Sequence, residues 1–246
     1  MTPPYKISRI PKGKGKFRQI YVPSDEYKAE LRTLIPGLER ILEKLDTHKL
    51  NYAFQKGRNC VLNALQHTGY EYTLTMDIED FFNTIHAGHL TGLITSEHID
   101  RCLIDGSPKH GLPTSPSTAT IAFLSCGDDI HRALSKLNIK FSYTRYADDL
   151  IVSFDDSRQS TAISFIIKQA VARHGFKINS AKTQIQSNKN GYRVITGVAL
   201  SKEGPCATRR TNRKLRAAQH QGNAASLRGL REWSSCKLPR AMFLDD

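Results

Sequence analysis

Residues 144–154 read TRYADDLIVSF. Apolar, β-branched and aromatic residues flank Asp148 and Asp149, so KFSYTRY and LIVSF read as the strands of a tight hairpin with Ala147, Asp148 and Asp149 between them. Paired aspartates at a turn are most often a solvated tip, because Asp favours turns. Here the flanking strands are apolar enough to be buried, so the tip emerges from a core. TLTMDI (73–78) reads as another buried strand, with Asp77 near its C-terminal end. SRQSTAISFIIKQAVARHG reads as an amphipathic helix with Ile163, Ile166, Ile167, Ala170 and Val171 as its apolar stripe and Gly175 as its stop. FKINSAKTQIQ and YRVITGVAL read as strands. The order β–α–β–β–α–β over 73–186 predicts a ferredoxin-like core that sets the Asp77 strand beside the hairpin.

Three carboxylates so placed repel one another, and one protonates unless a cation neutralises them. Magnesium takes carboxylate oxygens while keeping positions for substrate phosphates. Two such ions activate an attacking hydroxyl and stabilise a leaving pyrophosphate. Asp77, Asp148 and Asp149 are therefore candidate ligands for two Mg2+ ions, with Mn2+ able to substitute. Glu79 and Asp80 alternate in direction and rank second.

Elsewhere the chain is less explicit. Lys6, Arg9, Lys12, Lys14, Lys16 and Arg18 precede any acid, with Gly13 and Gly15 among them; a hairpin with a basic tip and a solvated tail fit equally. SDEYKAELRTL carries helical spacing behind a Ser24 cap, Pro36 interrupts it, and GLERILEKL resumes it. AFQKGRNC reads as a loop and VLNALQH as helical. The stretch through HLTGLI reads as helical, GSPKHGLPTSPST as a loop, and TATIAFLSCGDDIHRALSKL as one long helix. From Thr208 the sequence turns basic and helix-like.

Across 246 residues Lys and Arg outnumber Asp and Glu 36 to 23, a net charge of +13, which makes a polyanion the first partner to consider. The N-terminus lacks an apolar signal core, and no run reaches the ~18–20 apolar residues of a membrane span. A cytoplasmic protein without membrane insertion is expected. The five cysteines, among them Cys236, are scattered without a CxxC pair and read as reduced thiols. His86 and His89 form an HxxH without companion ligands, a poor zinc site.

TMDIEDFF, GLPTSP and YADD, in this order, resemble motifs A, B and C of reverse transcriptases, and the likeness extends over about residues 8–235. It implies an α/β (α+β) chain built as a right-hand polymerase, with a ferredoxin-like βαββαβ palm, fingers and a short helical thumb. The expected division is 1–70 for the first part of the fingers, 71–200 for the palm with a fingers insertion, and 201–246 for a basic thumb. The activity implied is RNA-directed DNA polymerisation from dNTPs. The resemblance makes Asp77, Asp148 and Asp149 metal ligands, assisted by the Ile78 carbonyl. Phe82 matches the aromatic gate that excludes a 2′-hydroxyl, while Phe81 reads as core. Lys12 and Arg18 match residues gripping the triphosphate, and Lys182 the lysine that protonates pyrophosphate; an ordinary surface lysine stays open. Gly111 allows close backbone approach to the nucleotide. His110 stands where the family usually has Gln. Pro113, Ser115 and Pro116, with Tyr146 and Ala147, are expected beside primer and template.

NALQH (63–67) and VITGV (194–198) resemble the NAxxH and VTG elements of retron reverse transcriptases. Such enzymes copy a structured non-coding RNA, priming from its 2′-hydroxyl, into a branched RNA–DNA called msDNA, and many act in phage defence with a separate effector. That implies RNA contacts at Asn63, His67, Thr196 and Gly197, and along Arg209, Arg210, Arg213 and Lys214. For Asn63 and His67 a local structural role is the alternative. The short C-terminal segment is expected to leave no room for a ribonuclease H, an endonuclease or a fused effector, so any toxic or defensive activity is expected from a partner. A reverse transcriptase of another bacterial lineage and a catalytically idle RNA-binding scaffold are the competing readings.

Overall fold

The computed structural model describes residues 3–13, 15–201 and 204–235. Lys14, Cys236 and the end of the basic C-terminal segment lie outside the described residues. In chain order the elements are β1 (Tyr5–Gly13), β2 (Lys16–Pro23), α1 (Asp25–Leu45), α2 (Cys60–Leu65), β3 (Tyr72–Ile78), α3 (Phe81–Thr84), α4 (Ser96–Cys102), α5 (Ser115–Ala122) and α6 (Leu124–Ser135). They continue with β4 (Phe141–Tyr146), β5 (Asp149–Phe154), α7 (Ser160–Arg173), β6 (Ile178–Ser187), β7 (Arg193–Ile195), β8 (Val198–Ser201), β9 (Gly204–Ala207), α8 (Arg209–His220) and α9 (Ala224–Ser234). The described residues form two compact units. One takes those within 1–49, 79–129 and 171–176; the other those within 50–78, 130–170 and 177–246.

In the first unit, β1 and β2 form an antiparallel hairpin, which decides between hairpin and tail. The register shifts between Pro11 and Gly13, so Lys12 is the extra residue of a bulge. α1 runs unbroken through Pro36, against the interruption read from the sequence. Losing one helical hydrogen bond costs about 3 kcal/mol. Burying Leu31, Leu34, Leu38 and Leu42 along one stripe, at about 1.5–3 kcal/mol each, outweighs it. The helix expected through HLTGLI is instead one α turn, α3, and a 3₁₀ turn at Ala87–His89. Gly92, at φ +82°, stops any continuation. Phe81, Phe123 and Phe176 meet at ring distances of 5.2–5.9 Å as this unit's aromatic core. The long helix expected after the GLPTSP loop starts earlier, at Ser115 with Pro116 in its first turn, and is split at Phe123 into α5 and α6.

The second unit holds a four-stranded antiparallel sheet in the order β4–β5–β3–β6, the ferredoxin-like arrangement expected. Its β4 edge is covered by main-chain bonds, Arg145 N–H to the Leu50 carbonyl and Tyr52 N–H to the Arg145 carbonyl (both 2.8 Å). A second sheet runs β7–β8–β9. YRVITGVAL is therefore a hairpin and not the single strand expected. Ile195 pairs with Val198 across a two-residue turn in which Thr196 (φ 47°) and Gly197 (φ 80°) are both left-handed. Cys60, Val61 and Ala64 of α2 pack against Ile195, Val198 and Leu200 as a buried cluster that also takes Ile151. The α7 stripe is buried at Ile163, Ile167, Ala170 and Val171 and half-buried at Ile166. Among the described residues Cys60, Cys102, Cys126 and Cys206 form no disulfide. Among the described residues no helix is long and apolar enough to cross a membrane.

Candidate active site

The hairpin tip is tighter than its sequence suggested. Tyr146 pairs with Asp149, so the loop is Ala147 and Asp148 alone, and Asp149 belongs to β5. Asp149 in turn pairs with Asp77 on β3. Two strands of a buried sheet thus bring two carboxylates into direct register, with a third at the adjoining tip. The Ile78 N–H donates to the Asp148 carbonyl (2.9 Å), which ties the tip to the end of β3. Ala147 adopts φ +55°, a conformation costing a residue with a Cβ roughly 1–3 kcal/mol. The Arg145 guanidinium, itself buried, holds that turn by donating Nη1–H to the Ala147 carbonyl (2.9 Å).

Burial, then the charges of Asp148 and Asp77, push the Asp149 carboxyl up to about 6, with Lys182 opposing them. Lys182, on β6, donates from Nζ to Asp77 Oδ1 at 2.6 Å, and that bond holds its ammonium above its ordinary value. These groups open onto a cleft of about 420 Å³ that also takes in Gln184, Gln186, Thr196 and Gly197. Thr75 and Ile151, which follow Asp77 and Asp149 at period two on the same face, line it as well. The β7–β8 turn therefore borders the same cleft as the carboxylates. Asn63 Nδ2 donates to Thr196 Oγ1 (3.4 Å), and Thr196 Oγ1 to the Cys60 carbonyl (3.3 Å), so α2 supports that turn.

A family model described as reverse transcriptase (RNA-dependent DNA polymerase) matches residues 10–200. The chain belongs to the reverse transcriptase family. Among its relatives, the retron Ec86 reverse transcriptase of Escherichia coli is 30% identical, over 94% of this chain and 75% of that protein. The retron Ec73 enzyme of Escherichia coli is 32% identical, over 80% and 69%. The retron Mx162 enzyme of Myxococcus xanthus is 28% identical over 86% of this chain, which spans about half of that relative's length (51%). Together these make the chain a retron-type RNA-directed DNA polymerase, with RNA as its template partner. Two solved structures share its fold. Telomerase from Candida albicans has a TM-score of 0.58 at 15% identity, covering 83% of this chain and 45% of that one. The foamy viral protease-reverse transcriptase has a TM-score of 0.55 at 16% identity, covering 86% and 32%. Reverse transcriptases use divalent metal ions.

The other residues singled out in this reverse transcriptase fall into distinct surroundings. Lys12 and Arg18 are exposed on β1 and β2. Phe81 is core, whereas Phe82 is half-buried with its ring centroid 4.5 Å from that of His110. Gly111 sits at φ +105°, where a Cβ would come within 2.3 Å of the Tyr21 carbonyl oxygen. Tyr21 N–H also donates to the His110 carbonyl (2.7 Å), so only glycine lets the GLPTSP loop lie this close to β2. Ser115 is buried, donating to the Lys109 carbonyl (2.7 Å), while Pro113 and Pro116 are half-buried. Tyr146 packs on the α2 cluster. Arg209, Arg210, Arg213 and Lys214 are exposed on α8. Two of them occupy its first turn, where the helix dipole disfavours cations.

Asn63 and His67 are corrected. Both have 0% exposure, so neither offers an edge to RNA, and both take the local structural role. His67 Nδ1 bonds Ser153 Oγ on β5 (2.9 Å) and Nε2 bonds Thr144 Oγ1 on β4 (2.7 Å), bridging the β4–β5 hairpin. Burial, with the nearby Arg193 charge, pushes His67 down to about 3. The folded ring therefore stays neutral, while the unfolded chain takes up a proton below its usual value of about 6.5. His67 leaves stability unaffected above that pH and lowers it progressively as pH falls toward 3. Roughly 2 kcal/mol should be lost between pH 6.5 and 5. Urea unfolding at both pH values checks this, and His67→Gln should flatten the dependence.

Arg145 and Arg193 were not identified from the sequence. The signal was weak: Arg145 lies near the end of the mixed strand FSYTRY and Arg193 opens the short strand RVI.

Proposed function

We propose that the enzyme reverse-transcribes a cognate structured non-coding RNA, primed from an RNA 2′-hydroxyl, into msDNA. The observation that carries the site is the register of Asp77 opposite Asp149 beside the Asp148 tip. Two Mg2+ ions, or Mn2+ in their place, are assigned to Asp77, Asp148, Asp149 and the Ile78 carbonyl. Among the described residues no three His, Cys, Asp or Glu side chains form a ready cage. Mg2+ sites of this kind are completed by substrate phosphates and water. The upward push on Asp149, from burial first and then from the Asp148 and Asp77 charges, is one that such a cation would compensate. When bound, these ions lower the pKa of the attacking hydroxyl and stabilise charge on the leaving pyrophosphate.

The chain's own groups do the rest. Lys182 Nζ, kept protonated, supplies a proton to pyrophosphate. Lys12 and Arg18 bind the triphosphate of the incoming dNTP, Arg18 through its planar fork. Phe82 gates the 2′-position beside His110 and Gly111. Pro113, Ser115, Pro116, Tyr146 and Ala147 shape the primer and template track. Thr196, Gly197, Arg209, Arg210, Arg213 and Lys214 contact RNA, the basic residues chiefly through phosphates. Residues 1–70, 71–200 and 201–246 correspond to fingers, palm with fingers insertion, and thumb. The enzyme works in the cytoplasm, and its defence role against phage is exerted through a separate effector protein.

The test is to purify the protein from cells carrying the gene with its native flanking DNA, and to treat the co-purified nucleic acid with ribonuclease, deoxyribonuclease and a debranching enzyme. A short single-stranded DNA joined to RNA, with mobility altered by debranching, is expected. RNA alone with intact primer extension would place the enzyme in a non-retron lineage. RNA alone without extension would leave a scaffold.

A further inference from the structure

A buried cation lies outside the machinery described so far. Arg193, the first residue of β7, is 2% exposed. Its Nη1 donates to Thr73 Oγ1 (2.7 Å) and Ser153 Oγ (3.4 Å), and its Nη2 to the His67 carbonyl (2.8 Å), while Nε has no hydrogen-bond partner. All three acceptors are neutral. Opposing charge comes from Glu71 and Asp155, and burial still holds the guanidinium below its ordinary value. A buried charge whose hydrogen-bond acceptors are all neutral costs several kcal/mol, which distant carboxylates offset only in part.

The acceptors explain what that cost accomplishes. Thr73 pairs with Ser153 as Asp77 pairs with Asp149, four residues along the same two strands. With a side-chain period of two, both pairs face the same side of the sheet, about 13 Å apart at ~3.3 Å per residue. Arg193 therefore grips the sheet on its carboxylate face. Its own strand leads directly into the Thr196–Gly197 turn, which borders the carboxylate cleft. Gln186 of β6 fixes the next residue twice, through Nε2–H to the Val194 carbonyl (2.8 Å) and Val194 N–H to Oε1 (2.7 Å).

We infer that Arg193 is a positioning residue, locking the β7–β8 hairpin to the sheet so that the Thr196–Gly197 turn stands at a fixed distance from Asp77 and Asp149. The inference rests on the assignment of those carboxylates to nucleotide addition. A displacement of about 1 Å at a reacting centre is worth on the order of 10²-fold in rate, so a loosened hairpin is felt in the chemical step more than in binding.

Arg193→Met keeps an unbranched apolar stem, removes the buried charge, and leaves Thr73 Oγ1, Ser153 Oγ and the His67 carbonyl without that donor. Thermal unfolding, RNA affinity and single-turnover addition of one dNTP to a preformed primer–template would be measured together. The expected result is a folded protein with a lowered unfolding temperature, RNA affinity within about twofold, and an addition rate at least tenfold lower at saturating dNTP. Gln186→Ala, which frees the same hairpin without touching a buried charge, should lower that rate several-fold and decides the matter if Arg193→Met fails to fold. A wild-type addition rate in folded Arg193→Met, or in Gln186→Ala where it alone folds, overturns the inference. Asp149→Asn is run alongside. If it is inactive while the hairpin variants are normal, the positioning role alone falls; if it remains active, the carboxylate assignment falls first.

Discussion

Asp148→Asn with Asp149→Asn should reduce DNA synthesis by at least about 10³-fold while the protein still folds and binds RNA. With Asp148 and Asp149 as the proposed metal ligands, several kcal/mol of transition-state stabilisation would pass through their charged oxygens, and each 1.36 kcal/mol is tenfold in rate. Asparagine preserves shape and an oxygen but not the charge. Stability should move the other way. The folded state raises the Asp149 carboxyl to about 6, so above that pH its ionised form is held less comfortably in the fold than in the unfolded chain. At pH 7 the neutral amide removes that burden, and the unfolding temperature should stay level or rise. Primer extension, filter binding to the co-purified RNA and thermal unfolding read the three quantities. Retained synthesis would remove the metal assignment; lost RNA binding would mean that the substitutions had damaged more than the site.

Phe82→Ala should open the enzyme to ribonucleotides. Its neighbour Phe81 is locked among Phe123 and Phe176, whereas Phe82 stays half-buried against His110 with a face available to a ligand. Discrimination against one added hydroxyl by an apolar wall is worth on the order of 10²-fold, and most of that should disappear. The check is the ratio of kcat/KM for a dNTP and its rNTP. An unchanged ratio, with normal folding, would return Phe82 to the core.

The palm was legible because its signals are local. The short apolar runs in TLTMDI and LIVSF, and the apolar stripe at Ile163, Ile167 and Ala170, report burial from single segments. The errors share a different origin. Pro36 should break a helix, yet the buried leucines on both sides hold it together. VITGV is apolar enough for one strand, and only the left-handed pair Thr196–Gly197 folds it back. His67 and Arg193 are the hardest case. Their partners come from positions 73, 144 and 153, so their burial arises from strand pairings that no single window contains. The short motifs around them did mark something real. Asn63 and Thr196 are hydrogen-bonded, so NALQH and ITG are two halves of one structural unit.

The first turn of α8 places Arg209 and Arg210 against the positive end of their own helix. In the free protein that repulsion costs a few tenths of a kcal/mol per charge, and added salt relieves it. With a polyanion bound, the same arginines have released counterions, and added salt reverses that gain. Under the proposed RNA-binding role, ionic strength would steady this helix when it is empty and loosen its hold on nucleic acid when it is occupied.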